Sequence, residues 1–244
     1  RAFQILRAQL RASLATAMHY RVDFLVDGLM SLWWVFWTLV PLLVVYGGRG
    51  QVAGWSFSQA LVVVAWFTML RGLLEGVVNP SLVALVEHIR LGTFDFVLVK
   101  PADAQLLIST ARVAPWKVLD FLAALAILGV AFARLGHAPA AGDVALAVAL
   151  LLAAVAVLYS LWILVVCASF WVVRLDNLAY LFSAIFDAAR WPLAVFRGVW
   201  RVLFTFVIPL GVMTTYPAMA LLGTLDAQTA VGAIGGAAAF ATMS

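Results

Sequence analysis

Long apolar runs, separated by short polar punctuation, set the pattern of this chain. They cover residues 24–46, 57–78, 118–133, 144–171, 178–196 and 227–244. A helix needs about 20 apolar residues to cross the hydrocarbon of a bilayer, so each run is a candidate span. Gly47-Gly48-Arg49-Gly50 closes the first run, Asn79-Pro80 is expected to stop the second, and Arg174-Leu175-Asp176 ends the fourth. The runs are continuous rather than alternating, which argues for helices and against a transmembrane barrel. The predicted fold class is an all-α membrane protein, one domain with six transmembrane helices.

Two segments depart from that pattern. Residues 1–22 place Gln4, Arg7 and Arg11 on one helical stripe and Phe3, Leu6, Leu10, Leu14 and Ala17 beside it. That arrangement predicts an interfacial helix on an anionic leaflet, with a stop-transfer basic flank carrying a helical tail as the plainer alternative; no cleavable leader is visible. Residues 197–223 hold Arg197, Arg201, Pro209, Tyr216 and Pro217. Broken backbone at membrane depth must be covered by protein or face a cavity. A re-entrant hairpin over 197–223 is therefore expected. The rival reading makes 199–216 the fifth span and 178–196 interfacial; an even number of spans favours the hairpin.

Composition narrows the class. Hydrophobic residues make up 66% and charged residues 11%, and mean hydropathy is +1.10. A water-soluble exterior cannot be built from so few charges. Soluble enzymes, disulfide scaffolds and disordered chains are excluded. Net charge is +4, but the excess base lies in flanks, where the positive-inside rule accounts for it without nucleic acid. With the N-terminus inside, inner flanks hold Arg1, Arg7, Arg11, Arg21, Arg90, Lys100, Arg112, Lys117 and Arg174, and outer flanks hold Arg49, Arg134, Arg190, Arg197 and Arg201. Both termini are then expected in the cytoplasm, with the chain multi-pass in the cell (inner or plasma) membrane.

Little in the chain suggests bond chemistry. Cys167 is the single cysteine, and His19, His88 and His137 fall in flanks or loops, so no metal site is expected. Walker A, Gly-x-Ser-x-Gly and His-Glu-x-x-His motifs are absent. Arg71 and Glu75, four apart inside the second run, share a helix face. They read either as a self-neutralising ion pair or as a polar patch lining a conduit. Trp33, Trp34 and Trp37 cluster at mid-span, as helix packing, lipid contact or a substrate-facing wall. Gly232 and Gly236 form Gly-x-x-x-Gly, which allows close helix approach within the subunit or across a dimer.

The segment after Asn79-Pro80 is the most informative. Pro80 suits a helix's first turn. Leu82, Leu85, Val86 and Ile89 form an apolar face, with Glu87 and Arg90 on a polar side. Gly92 can end that helix, and Asp95 can cap the next. This reads as a docking element over 81–95, or as a plain connector.

At these residues the chain resembles the permease subunits of ABC-2 type transporters. It carries Ile89-Arg90-x-Gly92-x-x-Asp95-x-x-Leu98-x-x-Pro101, then Phe170-Trp171 with Arg174 and Asp176, then Trp191-Pro192, Pro209, Tyr216-Pro217-Ala218 and Leu222-Gly223. The resemblance implies a type V exporter-like fold with two permease chains, as homodimer or heterodimer. It implies two separate cytoplasmic ABC ATPase subunits, which carry ATP and Mg; this chain holds no cofactor and is no enzyme. Residues 81–91 would be the coupling helix, and 197–223 the extracellular re-entrant element. A channel or secondary transporter needing no ATPase is the alternative, and a membrane enzyme lacks a catalytic set.

Overall fold

The computed structural model describes residues 2–19, 21–100, 102–168, 186–207 and 209–243. Helix α1 (Ala2–His19) leads into α2 (Arg21–Tyr46). A small antiparallel hairpin, β1 (Gln51–Val52) with β2 (Trp55–Ser56), turns the chain back. Helix α3 (Phe57–Leu73) starts with a capping box: the Ser56 hydroxyl accepts from Gln59 N–H, and the Gln59 side chain accepts from Ser56 N–H.

Helix α3 does not stop at Asn79-Pro80. A π-helical turn (Leu74–Val78) joins it to α4 (Asn79–Arg90), giving one helix of 34 residues from Phe57 to Arg90. The expected break is absent because the cost of Pro80 is met from outside the helix. Proline leaves the carbonyl one turn earlier without its N–H donor. That carbonyl, on Gly76, instead accepts from Ala114 N–H at 2.7 Å. The short helices α5 (Asp95–Leu98) and α6 (Ala104–Ser109) follow α4 and complete an elbow. Pro101 lies outside the described residues.

A 3-10 turn (Pro115–Lys117) opens α7 (Val118–Leu135), which ends on Gly136 at φ 77°. Helix α8 (Ala141–Ala168) returns toward the elbow end. At the hairpin end the Arg134 guanidinium lies 5.4 Å from the centre of the Phe57 ring.

Among the described residues, four helices are long and apolar enough to cross a membrane: Arg21–Tyr46, Phe57–Arg90, Pro115–Leu135 and Ala141–Leu164. The motif residues Phe170, Trp171, Arg174 and Asp176, and 178–185 of the expected fifth span, lie outside the described residues. Residues 186–196 are not a continuous helix. They form two 3-10 turns, Ala188–Arg190 and Leu193–Val195, because Trp191-Pro192 is extended between them. In 197–223, α9 (Val199–Val202) runs into a π turn (Leu203–Val207), and a second π turn (Gly211–Thr215) runs into α10 (Tyr216–Leu221). Pro209 separates the two arms. The last helix, α11 (Ala227–Met243), is capped by Asp226, which accepts from Thr229 N–H and hydroxyl at 2.8 and 2.7 Å. Those donors hold the exposed Asp226 carboxyl below the usual carboxylate range.

Small residues organise the packing. Lipid is as apolar as leucine, so helices associate through close contact rather than a hydrophobic drive. Ala124 and Ala131 of α7, Ala147 and Ala154 of α8, and Ala230, Ala233 and Ala237 of α11 are buried, while Leu122, Leu125, Val130 and Leu152 point outward. Helix α3 is covered on all sides: Ala60 to Leu70 are buried without interruption. Helix α2 is peripheral, with Gly28, Ser31, Thr38 and Leu42 turned inward and Trp33, Trp34, Phe36 and Trp37 exposed.

Candidate functional site

Three helices meet at glycines on the elbow side of the bundle. A Cβ built on Gly72 would stand 3.1 Å from Asp120 Cβ, and one on Gly76 would stand 3.0 Å from Lys117 Cβ. Gly72 and Gly76 thus form a small-xxx-small contact that draws the start of α7 against α3. Among the described residues the sequence pair Gly232 and Gly236 plays no such part, since a Cβ on either meets none of them within 4 Å.

That crossing assembles an ionic cluster. Arg71 Nε lies 2.7 Å from Glu75 Oε1. Lys117 Nζ lies 2.7 Å from Glu75 Oε2, 3.0 Å from Asp120 Oδ2 and 3.0 Å from Ser31 Oγ. An ammonium has three N–H donors, and Lys117 uses all three. The Ser31 hydroxyl donates to Asp120 Oδ1, and Arg71 Nη1 stands 3.8 Å from Asp187 Oδ1. Asp120 is 3% exposed. A charge so deep in a helical bundle is tolerable only when paired. The cluster borders a cavity of about 250 Å³ that also touches Asp27, Trp34, Thr68 and Trp116.

The spacing of Arg71 and Glu75 announced one bond of this cluster. Lys117 reads in sequence as an ordinary basic flank, and Asp120, Ser31 and Asp187 give no pairing signal until the helices are placed. The available hint was Lys117-x-x-Asp120, an i,i+3 pair at the mouth of an apolar run.

The elbow differs from the sequence reading in which face is free. Leu85, Val86 and Ile89 are half-buried and pack against the chain's own core. With Ile108 and Tyr159, Leu85 and Ile89 wall an apolar cavity of about 620 Å³, at whose edge Gln105 and Ser109 hydrogen-bond the Tyr159 hydroxyl. Their apolar face is therefore satisfied internally. Glu87 and Arg90 are exposed, as are the apolar side chains of Val83, Leu91, Phe96, Leu98 and Val99. Gly92 takes φ 67° and ends α4, with Thr93 N–H donating to His88 O at 2.9 Å. Asp95 is the first residue of α5 and not its cap; Phe94 holds the cap position without a side-chain bond.

In the 197–223 region, Arg197 and Arg201 are exposed, and Pro217 opens α10 in a buried setting. Tyr216 and Pro209 line a cavity of about 500 Å³ beside Gly232 and Gly236. The buried arm holds the broken segment before it: Thr214 Oγ1 donates to Ala189 O at 2.7 Å, and Leu193 N–H donates to Thr215 Oγ1 at 3.1 Å. These bonds satisfy backbone groups that irregular chain would otherwise leave bare.

No curated protein and no solved structure matches this chain. Residues 32–244 match the family described as ABC-2 family transporter protein. That match covers α2 from residue 32 onward, the other three long apolar helices, the elbow, the ionic cluster apart from Ser31, and the proline-broken region. The chain is a multi-pass membrane transport component, and it belongs to the ABC-2 transporter family.

Proposed function

We propose that this chain is the permease subunit of an ABC-2 type exporter, driven by two separate cytoplasmic ABC ATPases. Two permease chains would enclose a pathway between their first and second membrane helices and the fifth span expected from the sequence. The exposed aromatic face of α2 and the cavity at Asp27 and Trp34 would border it.

The length of the second helix carries this reading. Its 34 residues, at about 1.5 Å each, extend about 51 Å. The bilayer is about 40–45 Å thick with its headgroups. The helix therefore reaches beyond the membrane and carries the elbow with it. Phe96 (73% exposed) and Val99 (83%) sit at that tip between Arg90 and Lys100. Large apolar side chains in such a basic setting fit a protein partner better than water. The basic flanks support a cytoplasmic elbow and cytoplasmic termini.

The test is co-purification of the tagged chain with candidate ABC ATPases of its own cell, followed by ATP-dependent transport in proteoliposomes. Phe96→Asp and Val99→Asp should abolish ATPase association, and Gln51→Ala at the opposite end should not. Transport that proceeds without any ATPase would establish the channel or secondary-transporter alternative instead.

A further inference from the structure

We infer that the Lys117–Glu75 ion pair is a breakable tie that passes movement of the elbow to the first three membrane helices. This rests on the proposed ATPase-driven reading and names how the drive would enter the bundle.

The elbow's return segment is fastened to the second helix and not loosely looped. Ser81 Oγ donates to Arg112 O at 2.8 Å and accepts from Arg112 N–H at 3.1 Å. Ala114 N–H donates to Gly76 O at 2.7 Å. The same segment is fastened to α1: Gln9 Nε2 donates to Leu107 O at 3.0 Å, Val113 N–H donates to Ser13 Oγ at 3.3 Å, and the Thr110 hydroxyl bonds Gln9. Lys117 comes three residues after Ala114, with its N–H on Ala114 O at 3.1 Å. Any displacement of 112–114 is thus delivered within one turn to Lys117.

Lys117 then reaches all three helices, through Ser31 on α2, Glu75 after α3, and Asp120 on its own α7. Its bond to Glu75 is the charged link between the second and third helices. Each partner has a second partner when that bond breaks. Glu75 keeps Arg71 at 2.7 Å, and Lys117 keeps Asp120 and Ser31 at 3.0 Å. No charge is left bare, which is the usual penalty for opening a buried pair. An ion pair with alternative partners on both sides is a two-state element, and packed interfaces switch between such states rather than deform smoothly. Glu75 also lies in the π turn, where the helix is already off its regular hydrogen-bond register.

The decisive variant is Glu75→Gln in the reconstituted transporter with its ATPase. It keeps the side chain's size and removes the charged link. Substrate moved per ATP hydrolysed should fall about tenfold, the scale of a coupling free energy of ~1.4 kcal/mol. Half-saturation by substrate should stay put, whereas a pathway-lining role would shift it. Glu75→Asp and Lys117→Arg should recover most of the ratio, because each keeps the charge pair. Spin labels at the exposed Ala111 and at His137, in a Cys167→Ala background, should change separation on nucleotide binding and lose that response when Glu75→Gln is added. Unchanged transport per ATP, or an intact distance response, would overturn the tie. If Glu75→Gln does not fold, Lys117→Gln combined with Asp120→Asn, which removes the tie without stranding a buried carboxylate and leaves Glu75 with Arg71, decides by the same ratio. Failure of the native chain to bind any ATPase would instead remove the reading beneath it.

Discussion

Ala114 N–H donates to the Gly76 carbonyl at 2.7 Å, across the turn where Pro80 supplies no donor. Two consequences meet in that bond. The second helix runs on past a proline, and the start of the third helix is held against it. An unpaired backbone carbonyl in a dry bundle costs several kcal/mol, so this contact is part of what allows the long helix to exist.

Ser81→Ala should loosen that junction. Ser81 is fully buried and makes both side-chain bonds to Arg112. Losing them leaves Arg112 N–H and O unpaired, at a cost of about 1–3 kcal/mol. The unfolding midpoint of the purified protein should fall accordingly, and Ser81→Thr, which keeps the hydroxyl, should recover most of the loss. An unchanged midpoint would mean that the return segment is held elsewhere.

Lys117→Met should be the most damaging single change in the ionic cluster. It leaves Asp120, buried at 3% exposure, with Ser31 alone. Removing one partner of a buried pair costs about 3–5 kcal/mol, and removing both recovers much of it. Lys117→Met with Asp120→Asn should therefore be more stable than Lys117→Met alone. Arg71→Met should be milder, because Glu75 keeps Lys117 at 2.7 Å. Additive effects of Lys117 and Asp120 in a double-mutant cycle would rule out the arrangement.

Gly72→Ala and Gly76→Ala should each destabilise the bundle by about 1–3 kcal/mol, as overpacking does. The new methyl groups would meet Cβ atoms of Asp120 and Lys117, which cannot swing away as side-chain ends can. Gly232→Ala and Gly236→Ala meet no described residue within 4 Å and should leave the unfolding midpoint in place. A change of oligomeric state in those two alone, read by light scattering, would assign that face to a second chain.

Ile89→Asp and Phe96→Asp should separate folding from docking. Ile89 packs against the chain's own core, so a carboxylate there should lower the unfolding midpoint. Phe96 is exposed, and its change should spare the midpoint while ATPase co-purification is lost. Gly92→Val should distort the elbow through its φ of 67° alone, since no atom lies within 4 Å of the added Cβ.

Topology has a direct check in a Cys167→Ala background. A cysteine at Gly50 should react with an impermeant thiol reagent on intact cells, and one at Lys100 should react only after permeabilisation. Labelling of position 100 from outside would invert the orientation.

Sequence alone determined what depends on neighbours along the chain. The apolar length of 57–78 identifies a span because hydrocarbon thickness is a property of the bilayer, not of the fold. Arg71 and Glu75 are brought together by helix pitch, and Gly92 marks a turn because few residues accept its φ. The ABC-2 resemblance came from short motifs of the same local kind, and the family match extends it over 32–244. Tertiary structure decided what depends on which surfaces meet. The continuation through Pro80 needed a donor from Ala114, thirty-four residues later. The inward turn of Leu85, Val86 and Ile89 could not be read from amphipathicity, which shows that a face is apolar but not what covers it. Lys117, Asp120 and Ser31 became one site because glycines at 72 and 76 let α7 approach α3 closely enough for a single ammonium to reach three helices.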